Sequence, residues 1–369
     1  MVAYIVAGVC TVQLLVFATV EALLRGEMMD SSAVLQQAIQ SDSVLAKLFF
    51  RLIGSLSLVV TALVQAVVYY CYSQALGLTF ILVTSLGVSL PNLLKLAYSD
   101  PRPYWAYDEV EALSCGKGWG NPSGHALFTG AVWLSLCIVL LRQKRLGWTG
   151  LVLLWLLLIG VDRVYLGVHF YSQVLLGWSY ALGLVGWCWQ SLNRPDTQEK
   201  TTLPRLAVWH LISALFLLTA SSLYALRTPE WDQSWSDRIL LKCNFPYSAS
   251  EAASAVFLET AVIAFFPGAL LGVHLSQQLF PRLDLSLLPR RTRSVLCLAS
   301  LFPLGFEGIT SKGYSVFLCK RYLLEAEWLA WGLSLVGAYA AGVVFTAAIP
   351  RALPALSPDH RALAKAGMD

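Results

Sequence analysis

Apolar segments long enough to cross a lipid bilayer recur along almost the whole chain, and they limit the fold more than any other feature. Hydrophobic residues make up 57% of the 369 positions and charged residues 13%, whereas a soluble globular domain carries about 25% charged residues. A membrane span needs about 20 apolar residues, because in lipid a helix must satisfy its own backbone hydrogen bonds. The sequence therefore predicts an all-α polytopic membrane protein, a helical bundle with about nine or ten transmembrane helices.

The apolar segments divide the chain into three parts. Residues 1–30 are predicted to form an extra N-terminal membrane helix, which is retained because it lacks the basic start and cleavage site of a signal peptide. Residues 31–350 form the main membrane domain, with a core at about 53–190, and residues 351–369 form a short cytoplasmic tail. Residues 31–52 have the spacing of a helix lying in the membrane interface, although a plain connector fits nearly as well. Further spans are predicted at 53–73, 77–97, 126–141, 147–163, 170–190, 205–226, 254–279, 294–311 and 327–348.

Basic residues cluster in the short loops of one membrane side, which the positive-inside rule makes cytoplasmic. The loop at about 98–123 then faces the lumenal or extracytoplasmic side. The net charge of +4 is small, and the basic residues are not interleaved with aromatic residues as a nucleic-acid face requires. We therefore expect membrane lipids around the chain and no nucleic-acid partner.

Cysteine spacing argues against a metal centre. No CxxC pair and no Cys/His spacing typical of zinc occurs in the sequence. Cys115, Cys243 and Cys319 fall in predicted loops, and a disulfide among them is an open alternative if that side is oxidising. No metal and no cofactor are expected.

A polar motif, Asn121-Pro122-Ser123-Gly124-His125, precedes the apolar segment at 126–141. Proline, a hydroxyl and a glycine in front of an apolar run are typical of a helix N-terminus, where free backbone N–H groups can bind phosphate without a metal. His125 then lies in the first helical turn, as a titratable group above that anion site.

Three positive side chains lie near the same membrane boundary: Lys95, Arg102 and Arg163. Each one singly could be a snorkelling anchor. Together with His125 and His169 they favour a functional site, because charges at a membrane boundary are costly unless they pair or bind a ligand. The other three histidines have no basic cluster attached and are expected to be structural: His210, His274 and His360.

Such a set suits the hydrolysis of a phosphate monoester. Without a metal, the reaction needs cationic donors for the spreading negative charge, a nucleophile, and an acid for the departing alkoxide. Arginine supplies forked donors and lysine a point charge. Two histidines can fill the remaining roles. The residues alone do not say which of the two attacks.

Three spaced motifs in this order resemble a known family. They are Lys95 with Arg102-Pro103 after six residues, then Pro122-Ser123-Gly124-His125, then Arg163 with His169 after five residues. This is the signature of the phosphatidic acid phosphatase type 2 superfamily. Within it the chain is most similar to the glucose-6-phosphatase catalytic subunit branch, through Arg102-Pro-Tyr-Trp105, Arg163-Val-Tyr-Leu166, Gln173 and, more weakly, Pro229-Glu230-Trp231.

The resemblance implies a phosphatase with its site facing the lumen of the endoplasmic reticulum. His169 is then the nucleophile that forms a phosphohistidine, and His125 is the general acid. The phosphate would be held by Lys95, Arg102, Ser123, Gly124 and Arg163. Glucose 6-phosphate is the implied substrate, and a sugar-phosphate transporter is an implied partner.

Two residues depart from the superfamily pattern. Asp162 stands where serine is common, and Gln173 stands where an aspartate usually orients the nucleophile, although the glucose-6-phosphatase branch shares this glutamine. A backbone carbonyl, Gln173 or Asp162 can orient His169 instead, and Asp162 can either compete with phosphate for Arg163 or point away. A lipid phosphate remains the alternative substrate, read by loop residues such as Tyr104, Trp105 and 106–120. A non-catalytic transporter or scaffold is the third reading.

Overall fold

A computed structural model describes residues 2–193, 201–279 and 325–348, and the described chain consists of helices joined by loops without a β-strand. The α-helices, numbered in chain order, are α1 (Val2–Ile39), α2 (Val44–Val67), α3 (Gln74–Tyr98), α4 (Pro103–Ala106), α5 (Gly124–Arg142), α6 (Leu146–Tyr165), α7 (Tyr171–Trp187), α8 (Trp189–Asn193), α9 (Leu203–Leu226), α10 (Gln233–Cys243), α11 (Ala249–Glu259), α12 (Phe265–Leu279) and α13 (Glu325–Val343). This architecture confirms the predicted all-α class.

Seven helical segments of the described chain are long and apolar enough to cross a membrane. They are Tyr4–Ile39, Val44–Tyr72, Gln74–Ala106, Gly124–Arg142, Leu146–Tyr165, Leu203–Leu226 and Ala249–Gln278. The apolar segment Trp331–Ala347 is shorter, and α7, where a span was predicted at 170–190, has 17 residues. The predicted span at 294–311 and the predicted tail at 351–369 lie outside the described residues.

The prediction of one interfacial helix at 31–52 is wrong. Helix α1 continues to Ile39, residues 40–43 form a short connection, and α2 begins at Val44. Ser43 is the residue that starts α2, because its carbonyl accepts from Lys47 N at 3.0 Å and its hydroxyl accepts from Ala46 N at 3.4 Å. A hydroxyl at this position is an N-cap, so the helical spacing belongs to two helices.

The chain divides into two compact units. The first contains Met1–Thr61, Leu86–Arg194 and Leu217–Thr260, and the second contains Ala62–Ser85, Pro195–Phe216 and Ala261–Asp369. Every candidate site residue lies in the first unit.

Helix α7 is the centre of the first unit, because α1 and α5 both pack on it. Small residues allow this close approach. A Cβ placed on Gly177 would lie 2.8 Å from the Ser123 carbonyl oxygen, and one on Gly186 would lie 2.7 Å from Cys10 Cβ. The first of these contacts brings α7 against the start of α5.

The second unit has an aromatic core in which Tyr70 donates a hydrogen bond to the carbonyl of Phe345. The two histidines described in this unit make hydrogen bonds within it, and His360 lies outside the described residues. His210 Nε2 lies 3.0 Å from the Tyr339 hydroxyl, and His274 Nδ1 lies 2.8 Å from the Thr201 carbonyl. These contacts agree with the structural role predicted for both histidines.

Candidate active site

Helix α5 begins at Gly124 with Ser123 as its N-cap, as the Pro-Ser-Gly-His motif predicts. The Ser123 hydroxyl accepts from Ala126 N at 3.4 Å, and the Ser123 backbone N–H donates to the Gln173 carbonyl at 3.0 Å. The second bond joins the start of α5 to the first turn of α7. His125 is the second residue of α5 and is partly exposed.

The ring of His169 is oriented by a backbone carbonyl and a glutamine. Nδ1 lies 2.9 Å from the Gly120 carbonyl oxygen and 3.2 Å from Gln173 Oε1. A carbonyl can only accept, so Nδ1 carries the proton and Nε2 keeps a lone pair. Of the three orienters considered from the sequence, Gly120 and Gln173 make the contact and Asp162 does not.

Gln173 itself is held in place at both ends of its amide. Its Nε2 donates to the Pro101 carbonyl at 3.0 Å, and its Oε1 accepts from Phe170 N at 3.3 Å. The second contact satisfies the backbone N–H of Phe170, the residue that precedes α7. The amide therefore ties the segment before α4 to the loop that carries His169, a contact that the sequence alone did not indicate.

Arg102 is 4% exposed, and its guanidinium organises the loop that precedes the Pro-Ser-Gly-His motif. The donors are engaged by backbone carbonyls at 2.7 to 3.5 Å, those of Lys117, Gly118, Trp119 and Val168. In addition, Nη1 lies 3.5 Å from His169 Nε2. One group of Arg102, Nη1, thus faces Nε2 of His169, and the other donors of the guanidinium bind backbone carbonyls.

Asp162 pairs with Arg163 rather than pointing away. Arg163 Nε donates to Asp162 Oδ2 at 2.6 Å, and Nη2 forms an ion pair with the same oxygen. Both side chains are buried against Gly54, where an added Cβ would collide with the Arg163 guanidinium. The pair consumes part of the Arg163 fork, so Asp162 does compete for these donors.

Lys95 lies against the first residue of α5. A Cβ placed on Gly124 would be 3.5 Å from Lys95 Nζ, and the side chain is only 7% exposed. Within the described residues the ammonium group makes no hydrogen bond or ion pair. A buried ammonium is costly unless it is matched by a negative charge, so Lys95 is suited to hold an anion at the helix start.

Burial and the surrounding cations depress the pKa of His169 well below its ordinary value of 6.5. Burial is the largest cause, because it disfavours the charged ring, and nearby positive charges add to it. These charges belong to Arg102, Lys95, Arg163 and His125. The ring is therefore neutral at neutral pH.

All seven predicted site residues come together in the first unit.

Helix α10 holds the loop at 107–119, a contact that the sequence analysis missed. Lys242 Nζ donates to the carbonyls of Tyr107 at 2.7 Å and Val110 at 2.9 Å, and Arg238 Nε donates to Asp108 Oδ1 at 2.6 Å. Partial burial lowers the pKa of Lys242. The only signal in the sequence was that this short helix carries basic residues and the loop at 107–119 carries acidic ones.

A disulfide joins the same two elements. Cys115 and Cys243 are bonded, with their Cα atoms 5.9 Å apart, while Cys319 lies outside the described residues. Tyr247, just beyond α10, accepts from Gly118 N at 2.8 Å through its hydroxyl. One of the pairings left open by the sequence is therefore present, and it fixes the loop that carries the carbonyls around Arg102.

Tyr104 and Trp105, expected to contact the leaving group, are instead fully buried. Trp105 packs against Trp119 and Trp231, with ring centroids 6.0 and 5.6 Å away, and Tyr104 donates to the Gly116 carbonyl at 2.8 Å. These rings support the loop from behind. Residues that read a leaving group have to lie elsewhere on the site.

Comparison with known proteins agrees with this geometry. Residues 56–196 match the PAP2 superfamily, so this part of the chain carries the domain of that superfamily. It is 30% identical over 202 residues to glucose-6-phosphatase 3 of Rattus norvegicus, covering 48% of this chain and 56% of the relative. It is 29% identical over 134 residues to glucose-6-phosphatase 2 of Homo sapiens, covering 29% and 38%.

A third relative is glucose-6-phosphatase catalytic subunit 1 of Haplochromis nubilus, 30% identical over 130 residues that cover 27% of this chain and 36% of the relative. The chain thus spans about half the length, 56%, of the first of these curated relatives. No solved structure matches it. Within the superfamily, the similarity is to the glucose-6-phosphatase branch.

Proposed function

We propose that the chain is a membrane phosphatase that hydrolyses a phosphate monoester through a phosphohistidine. The observation that carries the proposal is the placement of His169, with a lone pair on Nε2, beside Arg102 and near the helix start that Lys95 contacts. Cations and backbone N–H groups at a helix N-terminus bind phosphate and its transition state. They can stabilise the charge without a metal, so the proposed reaction is metal-independent.

Each step of the reaction has a residue to perform it. Nε2 of His169 attacks phosphorus, the bond from phosphorus to the leaving oxygen breaks, and His125 gives that oxygen a proton. His125 then takes a proton from water, whose oxygen attacks the phosphohistidine and releases phosphate and neutral His169. Lys95 and the N–H groups after Ser123 hold the phosphoryl oxygens, together with the donors of Arg163 left by Asp162 and the Arg102 Nη1 group.

A polar pair beside the phosphate site favours a sugar phosphate over a lipid phosphate. Glu259 is an exposed carboxylate inside the apolar segment Ala249–Gln278, and it accepts from Asn92 Nδ2 at 3.0 Å. Asn92 precedes Lys95 by three residues in α3, so the two lie on one helix face. A carboxylate inside a membrane span normally faces water or a substrate, and sugar hydroxyls are suitable donors to it.

The substrate is tested on the purified protein with glucose 6-phosphate and a panel of sphingoid, isoprenoid and phosphatidate esters. We expect phosphate release from the sugar ester, and undiminished release in the presence of a chelator. Activity confined to the lipid esters would make the protein a lipid phosphatase. Release from no substrate would favour the transporter or scaffold reading, which the pairing of Asp162 with Arg163 supports.

Glu259→Gln is expected to weaken sugar recognition while leaving the chemistry intact. Removing the charge weakens hydrogen bonds to sugar hydroxyls, so the ratio of kcat/KM for glucose 6-phosphate to that for phenyl phosphate should fall about tenfold. Glu251→Gln is the control, because Glu251 lies on the same helix but only caps its N-terminus by contact with Ser248. An equal loss for both esters would contradict a contact to the sugar.

The acid limb of phosphoenzyme formation should lie below pH 6.5. Attack requires the neutral His169 ring, and the lowered pKa of His169 keeps the ring neutral as the pH falls through 6.5. We therefore expect the single-turnover rate of phosphoenzyme formation to hold at that pH and to decline only in more acidic buffer. Rapid quenching with labelled substrate measures the rate, and a decline centred at or above pH 6.5 would oppose the assignment.

We further propose that the site faces the lumen of the endoplasmic reticulum and that a sugar-phosphate transporter delivers the substrate. The Cys115–Cys243 disulfide supports this orientation, because disulfides persist in oxidising compartments. Both cysteines belong to the loops on the site's side of the membrane. Protease protection of an epitope placed after Cys243, in sealed microsomes, tests the orientation.

A further inference from the structure

Polar side chains on α1 contact the loop that carries His169 and residues near it. Ser32 Oγ accepts from Tyr171 N, the first residue of α7, at 3.0 Å. Just beyond the end of α1, Gln40 Nε2 donates to the Tyr165 carbonyl at 3.0 Å, and the Tyr107 hydroxyl donates to Asp30 on α1. A helix that only anchored the chain in the bilayer would have no need of these contacts, so α1 has a role at the site.

Gln36 makes the contact nearest to the chemistry. Its side chain is fully buried, and Nε2 donates to the His169 carbonyl at 2.9 Å and to the Val164 carbonyl at 3.1 Å. Both partners are carbonyl oxygens, so the amide nitrogen must face them. One side chain therefore holds the backbone at the end of α6 and at His169 itself.

A second set of hydrogen bonds joins α1 to the ring of His169. Asn121 Nδ2 donates to Glu21 Oε1 at 3.0 Å and to Asp100 Oδ2 at 2.8 Å, and Arg25 binds both carboxylates at 3.2 and 2.9 Å. Asn121 directly follows Gly120 in the sequence.

The network reaches His169 through Gly120. The Gly120 N–H donates to the Asp100 carbonyl at 2.8 Å, and the Gly120 carbonyl accepts from His169 Nδ1 at 2.9 Å. Removing one partner of a buried ionic group leaves the others uncompensated, so Arg25, Glu21 and Asp100 hold this geometry as a set. The two paths from α1 meet the nucleophile at its backbone and at its ring.

We infer that α1 is part of the active site and that Gln36 is a positioning residue, which holds the His169 backbone so that Nε2 points at the phosphoryl group. The inference rests on the proposed role of His169 as the nucleophile. Misplacement of a reacting group by about 1 Å can cost a hundredfold in rate. Gln36 thus affects the rate of attack without touching the substrate.

The test compares Gln36→Met with Gln13→Met in the purified full chain. Methionine keeps the length of glutamine but cannot donate to a carbonyl. Gln13 lies on the same helix and donates to Ser179 Oγ on α7 at 3.0 Å, so its replacement also removes a side-chain hydrogen bond made by α1, but to neither His169 nor Val164. We expect kcat and the rate of phosphoenzyme formation to fall roughly tenfold to a hundredfold for Gln36→Met, with KM nearly unchanged. Gln13→Met should keep both.

Three outcomes would overturn the inference: a Gln36→Met enzyme with wild-type kcat, an equal fall in kcat for Gln13→Met, or a change confined to KM. If Gln36→Met does not accumulate as folded protein, Gln36→Asn keeps the amide one methylene short and should show a smaller fall in kcat. Wild-type kcat in that variant would count against the inference. A wild type that forms no phosphoenzyme would instead refute the proposed function.

Discussion

Replacing His169 with alanine is expected to abolish both phosphate release and the phosphoenzyme. The variant loses the proposed nucleophile, so kcat should fall by at least about a thousandfold, as expected for the loss of covalent catalysis. Labelled substrate, quenched at low temperature and resolved by gel, reports the covalent intermediate directly. Label that persists in His169→Ala would refute the assignment of the nucleophile.

Two further histidine variants complete this experiment. His125→Ala should lose most of its turnover, because the leaving oxygen gets no proton, yet a substrate with a good leaving group, such as p-nitrophenyl phosphate, should still label His169. His210→Ala is the control, since His210 lies in the second unit, where it contacts Tyr339. It should keep wild-type kcat, and a comparable loss there would indicate that general destabilisation explains the series.

Gly120→Ala is expected to inactivate the protein although it adds a single methyl group. The added Cβ would lie 2.5 Å from the Pro101 carbonyl oxygen and 2.7 Å from Gln173 Nε2. Neither neighbour can withdraw, because the Pro101 carbonyl accepts from Gln173 and Gln173 contacts His169. We expect kcat to fall by about a hundredfold and the free energy of unfolding to fall by about 1 to 3 kcal/mol, the usual effect of overpacking.

Gly147→Ala is the matched control for this change. Gly147 lies in α6 and has nothing within 4 Å of its added Cβ, so alanine should raise helix stability by up to about 1 kcal/mol and leave kcat unchanged. Single-turnover labelling and thermal unfolding in detergent measure both quantities. A Gly120→Ala enzyme that retains wild-type labelling would show that the close packing of Gly120 against Pro101 and Gln173 is not needed to orient His169.

These experiments share a physical premise about the site. The cationic groups are not equivalent, because Arg102 spends most of its donors on backbone carbonyls and Arg163 shares its fork with Asp162. Lys95 therefore carries the largest share of the phosphate charge in the proposed mechanism.

The sequence by itself determined the class of the protein and the start of α5. Apolar runs of bilayer length and a proline, serine and glycine before an apolar segment are local signals, readable within about 20 residues. Family motifs spaced along the chain identified Lys95, Arg102 and His169 as members of one site. The error at 31–52 had a local cause too, because the cap at Ser43 was overlooked within a continuous helical spacing.

Only the tertiary structure decided how the site is held. Gly120 and His169 are 49 residues apart, and Gln36 and His169 are 133 apart. No periodicity records such pairs, because a buried amide and a backbone carbonyl meet only when helices pack. The same holds for Asp162, whose pairing with Arg163 depends on burial against Gly54. Motifs therefore predicted the candidate reacting groups, and helix packing determined which side chains and carbonyls contact them.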